Sequence, residues 1–128
     1  MYKRQFETLC HKHIDVIKKV LGISAVYTEI SSLRVPASKT HEGFQIDLII
    51  DRKDESINLC EVKFYNGPFT INKSYYHQLI NKRQRFIEYT GTKKQIFLTF
   101  ITNYGLVEND YAAEVVDASI MLEDMLSS

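Results

Sequence analysis

Three charged side chains lie inside otherwise apolar runs: Asp47 in Phe44-Gln45-Ile46-Asp47-Leu48-Ile49-Ile50, and Glu61 and Lys63 in Leu59-Cys60-Glu61-Val62-Lys63-Phe64-Tyr65. A charge in such surroundings is costly unless it is paired or holds a metal. Alternation along a strand puts Glu61 and Lys63 on one face, with Cys60, Val62 and Phe64 on the other. Two carboxylates and an ammonium can then converge on one spot. Phosphodiester hydrolysis needs that set of groups, because Mg²⁺ (or Mn²⁺) held by one or two carboxylates offsets phosphoryl charge and activates a water. Asp47 and Glu61 are the candidate ligands. Lys63 is placed to orient the attacking water or to offset charge on the pentavalent species.

The elements that must position these residues are legible around them. From Lys3 to Leu21 the apolar residues Phe6, Leu9, Cys10, Ile14, Ile17, Val20 and Leu21 recur at helical spacing, and Gly22 follows as a cap. Three strand-like runs come next, Ser24 to Val35, Phe44 to Ile50 and Ile57 to Tyr65, rich in β-branched and aromatic residues. Residues 37–42 read as a long hairpin loop and 51–56 as a charged one. Asn72 predicts the N-cap of a second helix reaching about Tyr89, ended by Gly91. Gln95 to Thr102 reads as a central strand, Glu114 to Ile120 as a further edge strand, and Leu122 to Leu126 as a short terminal helix.

With 128 residues, residues 1–128 are expected to form a single α/β domain able to bury a core of its own. Lys plus Arg and Asp plus Glu each number 16, so no global positive field draws the chain onto a polyanion. A nucleic-acid partner would have to meet a local patch. Cys10 and Cys60 form no CxxC pair, which fits buried thiols in a reducing compartment and argues against structural zinc. No stretch approaches the ~20 apolar residues of a membrane span, so a cytoplasmic protein with no membrane partner is expected.

Asp47 followed by Glu61-Val62-Lys63 on successive strands, after a helix and before a helix and strand, resembles the PD-(D/E)xK nuclease superfamily. That resemblance implies a restriction-endonuclease-like core of order αβββαβ, with a mixed central sheet flanked by helices. To it this chain adds a C-terminal strand and short helix. It also implies Mg²⁺ (or Mn²⁺) as cofactor, DNA as substrate, the Val62 carbonyl as a further metal ligand, and supporting roles for Glu7 on the first helix and Gln78 on the second. Ile46 stands where the superfamily often has proline. More narrowly, residues 45–52, 58–64 and 94–105 look like the C-terminal nuclease-like domain of prokaryotic AAA-type ATPases. Such a domain works with an ATPase module in cis or in trans. No GxxxxGK[ST] occurs here, which makes the chain either an excised domain or a free-standing relative.

Each feature has a plainer reading. Glu61 and Lys63 are equally compatible with a solvated sheet face, and a Glu-x-Lys triplet is common. Lys73, Lys82 and Arg85, with Arg83, Lys93 and Lys94, form either a phosphate-contacting stripe or a solvated helix face. His11 and His13, two residues apart in a helix, do not share a face as a zinc pair would. Two functional classes follow: a metal-dependent deoxyribonuclease, or a catalytically inactive nuclease-fold binding or regulatory module of an ATPase. A homodimer is a further expectation, since cutting two strands takes two sites.

Overall fold

The computed structural model describes residues 2–126. Its N-terminal amphipathic stretch forms two helices where the periodicity predicts one, α1 (Tyr2–Lys12) and α2 (Ile14–Leu21). His13 between them leaves the helical region at φ −113°, ψ 37°. Its N–H is shared between the carbonyls of Leu9 (3.1 Å) and Cys10 (3.3 Å), a tightening of the last turn of the kind that closes a helix. Both pieces bury the same side, because Cys10 and Ile17 enter one apolar cluster.

β1 (Thr28–Val35) starts later than expected, because Val26 N–H turns back to the Ile23 carbonyl at 3.0 Å. β2 (Phe44–Arg52) and β3 (Ser56–Lys63) extend their hairpin, leaving only Lys53, Asp54 and Glu55 at its tip. α3 (Lys73–Thr90) begins where Asn72 accepts the Tyr75 N–H at 2.8 Å and ends at Gly91, whose φ of 66° suits a residue without a Cβ. β4 spans Gln95–Thr102 as expected.

The predicted strand from Glu114 is corrected: α4 (Asp110–Val115) occupies its first part, and β5 is only Ala118–Met121. The Asn109 side chain caps α4 through the Ala112 N–H at 2.8 Å. The run of apolar residues that reads as one strand is therefore a helix end and a short strand. They meet at Asp117, which exchanges two hydrogen bonds with the backbone of Leu98. α5 (Leu122–Leu126) matches expectation.

Among the described residues the sheet has five strands in the order β1-β2-β3-β4-β5, the first two pairings antiparallel and the last two parallel. α1, α2 and α5 cover one face through Cys10, Ile17 and Met125 against Leu48, Ile50, Cys60 and Val62. α3 and α4 cover the other through Leu79, Phe86 and Val115 against Ile49, Leu59, Leu98 and Phe100. The fold is thus a mixed α/β sheet with helices on both faces, as the sequence predicts. Among the described residues no helix is long and apolar enough to cross a membrane.

Candidate functional site

The site is made by the parting of two strands. The β2–β3 ladder runs from Arg52 opposite Ser56 to Leu48 opposite Cys60 and goes no further. On its other edge β2 carries a bulge: Ser31 pairs with Ile49 and Leu33 with Ile46, so two steps on β1 match three on β2. The extra residue falls at Asp47-Leu48. A bulge re-aims side chains and ends pairing, and here it lets Ile46 and Ile49 both face α3 while Leu48 faces α1.

Asp47 fills the fork. Its Oδ2 accepts the Val62 N–H at 2.9 Å, standing in for the backbone carbonyl that a continued ladder would have supplied. Gln45 Nε2 donates to Oδ1 at 3.4 Å, and His11 Nε2 donates to the Asp47 carbonyl at 3.1 Å. In an antiparallel strand the N–H and C=O of one residue point to the same edge. The Val62 carbonyl therefore faces the fork with its amide.

Glu61 is buried on the face that α3 covers, opposite Cys60 and Val62 as alternation predicts. Its Oε1 accepts from Lys82 Nζ at 2.6 Å and from the Tyr75 hydroxyl at 3.3 Å. Burial first, and then the Glu61 charge and hydrogen bond, raise the Tyr75 phenol, so it remains a neutral donor. Lys63 shares that face: its ammonium sits 5.1 Å from the Tyr75 ring centre and 5.5 Å from that of Phe69, distances at which a ring face attracts a cation. Phe69 is fixed by backbone hydrogen bonds to Gly105 and Val107, both 2.9 Å.

Asp47, Glu61, Lys63 and Gln78 line one cavity of about 380 Å³, together with Gln45, Asn81 and Lys82. Gln78, Asn81 and Lys82, the last two three and four residues beyond the first, bring α3 to its wall. Gly43 forms part of the rim, where a Cβ would come within 2.8 Å of the Val35 carbonyl and the Ala37 amide. Only glycine fits that close approach. Glu7 is not in this cavity. It lines an adjoining one of about 430 Å³ with His11 and Arg34, and the two cavities share Gln45 and Asp47.

The expected basic stripe is divided. Lys73 and Lys82 are two and a half helical turns apart and so lie on opposite sides of α3. Lys82 is committed to Glu61, and Arg85 donates to the Glu42 carbonyl at 2.6 Å while covering the Phe44 ring at 5.2 Å. Sequence reasoning left out Gln45, Asn81 and the contact of His11 with Asp47. It also assigned Lys82 to phosphate and not to Glu61. The spacing of Tyr75, Gln78 and Lys82 was the available signal.

Two carboxylates and a main-chain carbonyl are an all-oxygen donor set that suits a hard divalent cation. Among the described residues no three or more His, Cys, Asp or Glu side chains gather as a metal-holding group. Water and substrate oxygens would have to complete the coordination. The thiols play no part: burial, with lesser contributions from Glu7 and Asp47, pushes Cys10 up to about 12, and burial raises Cys60 as well. Both stay protonated, as buried thiols do.

No family model matches the chain, and no curated protein does. Among solved structures the chain is similar to the crystal structure of a protein of unknown function, AF1548, with a TM-score of 0.58 and 16% identity. The match covers 90% of this chain and 62% of that one, so the chain spans less than two thirds of its length. At that identity the likeness concerns the fold alone.

Proposed function

We propose that the chain is a PD-(D/E)xK-type domain that hydrolyses phosphodiester bonds in DNA with Mg²⁺ or Mn²⁺, working with an AAA-type ATPase module. The observation that supports this most is the convergence of Asp47, Glu61 and Lys63 on one cavity at a strand fork. Further support comes from the strand order, two antiparallel pairings followed by a parallel one across α3, which suits a restriction-endonuclease-like core.

A bound divalent cation supplies charge neutralisation at phosphoryl oxygens and a water of lowered pKa. Asp47 and Glu61 hold it, with the Val62 carbonyl. Lys63, kept near the scissile group by the Tyr75 and Phe69 rings, orients water or offsets developing charge. The Gln78 and Asn81 amides contact phosphate oxygens from α3, and Glu7 supports Asp47 from the adjoining cavity. Calorimetric titration of Mg²⁺ and Mn²⁺ into wild type and Asp47→Ala, followed by cleavage assays on branched, nicked and linear DNA, tests the proposal. Metal uptake lost in the variant supports it. Cutting preserved in both Asp47→Ala and Lys63→Ala would refute it.

One observation favours a second reading, a catalytically silent module of an ATPase: Glu61 already has a counter-ion in Lys82. That reading predicts association with the ATPase that survives chelation of divalent cations, and no cleavage. The exposed aromatics Phe64, Tyr65 and Tyr104 motivate a homodimer, which sedimentation velocity decides.

A further inference from the structure

The Lys82–Glu61 pair combines features that do not belong to a plain structural ion pair. Glu61 is buried, so its charge must be compensated in the folded protein. The compensating ammonium comes from a half-buried side chain on a neighbouring helix, and it lines the same cavity as Asp47 and Gln78. Tyr75 donates to the same carboxylate oxygen at 3.3 Å through a neutral hydroxyl, which gives Glu61 a second and uncharged partner. An ammonium and a divalent cation cannot both be close partners of one carboxylate without strong mutual repulsion. An ammonium released into the cavity is in turn a ready partner for an anion that enters beside it.

We infer that Lys82 is an exchangeable counter-ion. Glu61 gives it up on taking a divalent cation, and the displaced ammonium is received by a phosphate of the nucleic-acid backbone in the same cavity. This rests on the proposed function and deepens it, because cation and phosphate then bind cooperatively through one lysine. No bond is made or broken in the exchange. Without a phosphate the lysine holds the carboxylate and keeps cation affinity low.

The test is a set of four Mn²⁺ titrations on the full chain: wild type and Lys82→Met, each alone and with a short phosphorothioate DNA duplex that resists cleavage. Wild type is expected to bind Mn²⁺ at least about tenfold more tightly with the duplex, the size of coupling common between linked sites. Lys82→Met is expected to bind Mn²⁺ more tightly than wild type when alone, and to gain little from the duplex. Equal affinity of the two proteins without DNA overturns the exchange, as does an equal gain from DNA in both. Absence of Mn²⁺ uptake in every titration overturns the metal reading itself, and so separates the two failures. Should Lys82→Met not fold, amine labelling of wild type read by mass spectrometry decides the point. Lys82 reactivity should rise severalfold on adding Mn²⁺ with the duplex, and constant reactivity while the metal binds overturns the inference.

Discussion

Two ion pairs of the same length, 2.6 Å, sit at opposite ends of one hairpin. Lys94–Asp51 lies at the closed end, where β2 and β3 are fully paired, and its side chains are 25% and 42% exposed. Lys82–Glu61 lies at the forked end, and there the carboxylate is only 4% exposed. Distance alone does not separate them; solvent does. Water screens the first pair and would solvate either partner left alone, so it adds little to stability. The second holds a charge that the protein cannot leave bare. A carboxylate buried in the wall of a cavity is a natural anchor for a cation, whereas a half-exposed one on a fully paired stretch of strand is not.

Breaking the forked end should have the largest consequence. Asp47→Asn keeps an oxygen to accept the Val62 N–H and so should fold as wild type, yet the DNA cleavage proposed for the chain should be abolished. Under the same assay Lys63→Ala should slow it by roughly 10²–10³-fold, the scale of losing one preorganised charge-stabilising group. Circular dichroism alongside the assay separates loss of chemistry from loss of fold.

The next effect is on stability. Lys82→Met should lower the unfolding free energy by about 3 kcal/mol in urea denaturation, the low end for breaking a buried pair because the lysine itself is partly solvated. Adding Glu61→Gln should restore most of it, since an amide needs no counter-ion. A double variant as unstable as the single one would show that lost packing and not the bare charge is responsible. Asn72→Ala, which removes the cap that seats Tyr75, should cost about 1 kcal/mol by the same measurement.

The smallest effect belongs to the closed end. Lys94→Met should shift the urea midpoint far less than Lys82→Met does. The Asp51 hydrogen bond raises Lys94 above its ordinary 10.5. A cation with a raised folded-state pKa stabilises fully below the unfolded value and loses that contribution as pH rises through the folded one. The difference between wild type and Lys94→Met should therefore be constant near neutrality and vanish only in strongly alkaline solution, as a pH series of midpoints would show.

Particular residues explain how much was legible in advance. β4 and α3 were readable almost to the residue, because an apolar run bounded by turns and a capped amphipathic run each carry their own limits: Asn72 and Gly91 act through bonds to their near neighbours. α4 was not readable. Its six residues are too few to display a period, and Val115-Val116 suits a strand as well as a helix end. The break at His13 was hidden for a related reason, since it leaves the buried side of the stripe continuous.

For the site, the sequence by itself determined which residues carry charge inside apolar runs, and the alternation of β3 put Glu61 and Lys63 on one face. Those are local properties, set by residue type and by the two-residue period of a strand. Only the tertiary structure decided what they meet. The bulge that frees Asp47 depends on the register between β1 and β2, and the fork on where the β2–β3 ladder stops. That Lys82 neutralises Glu61 depends on how α3 docks on the sheet. Docking is fixed by the fit of Leu79 and Phe86 to the sheet surface, a match between residues far apart in the chain that no short window of sequence contains.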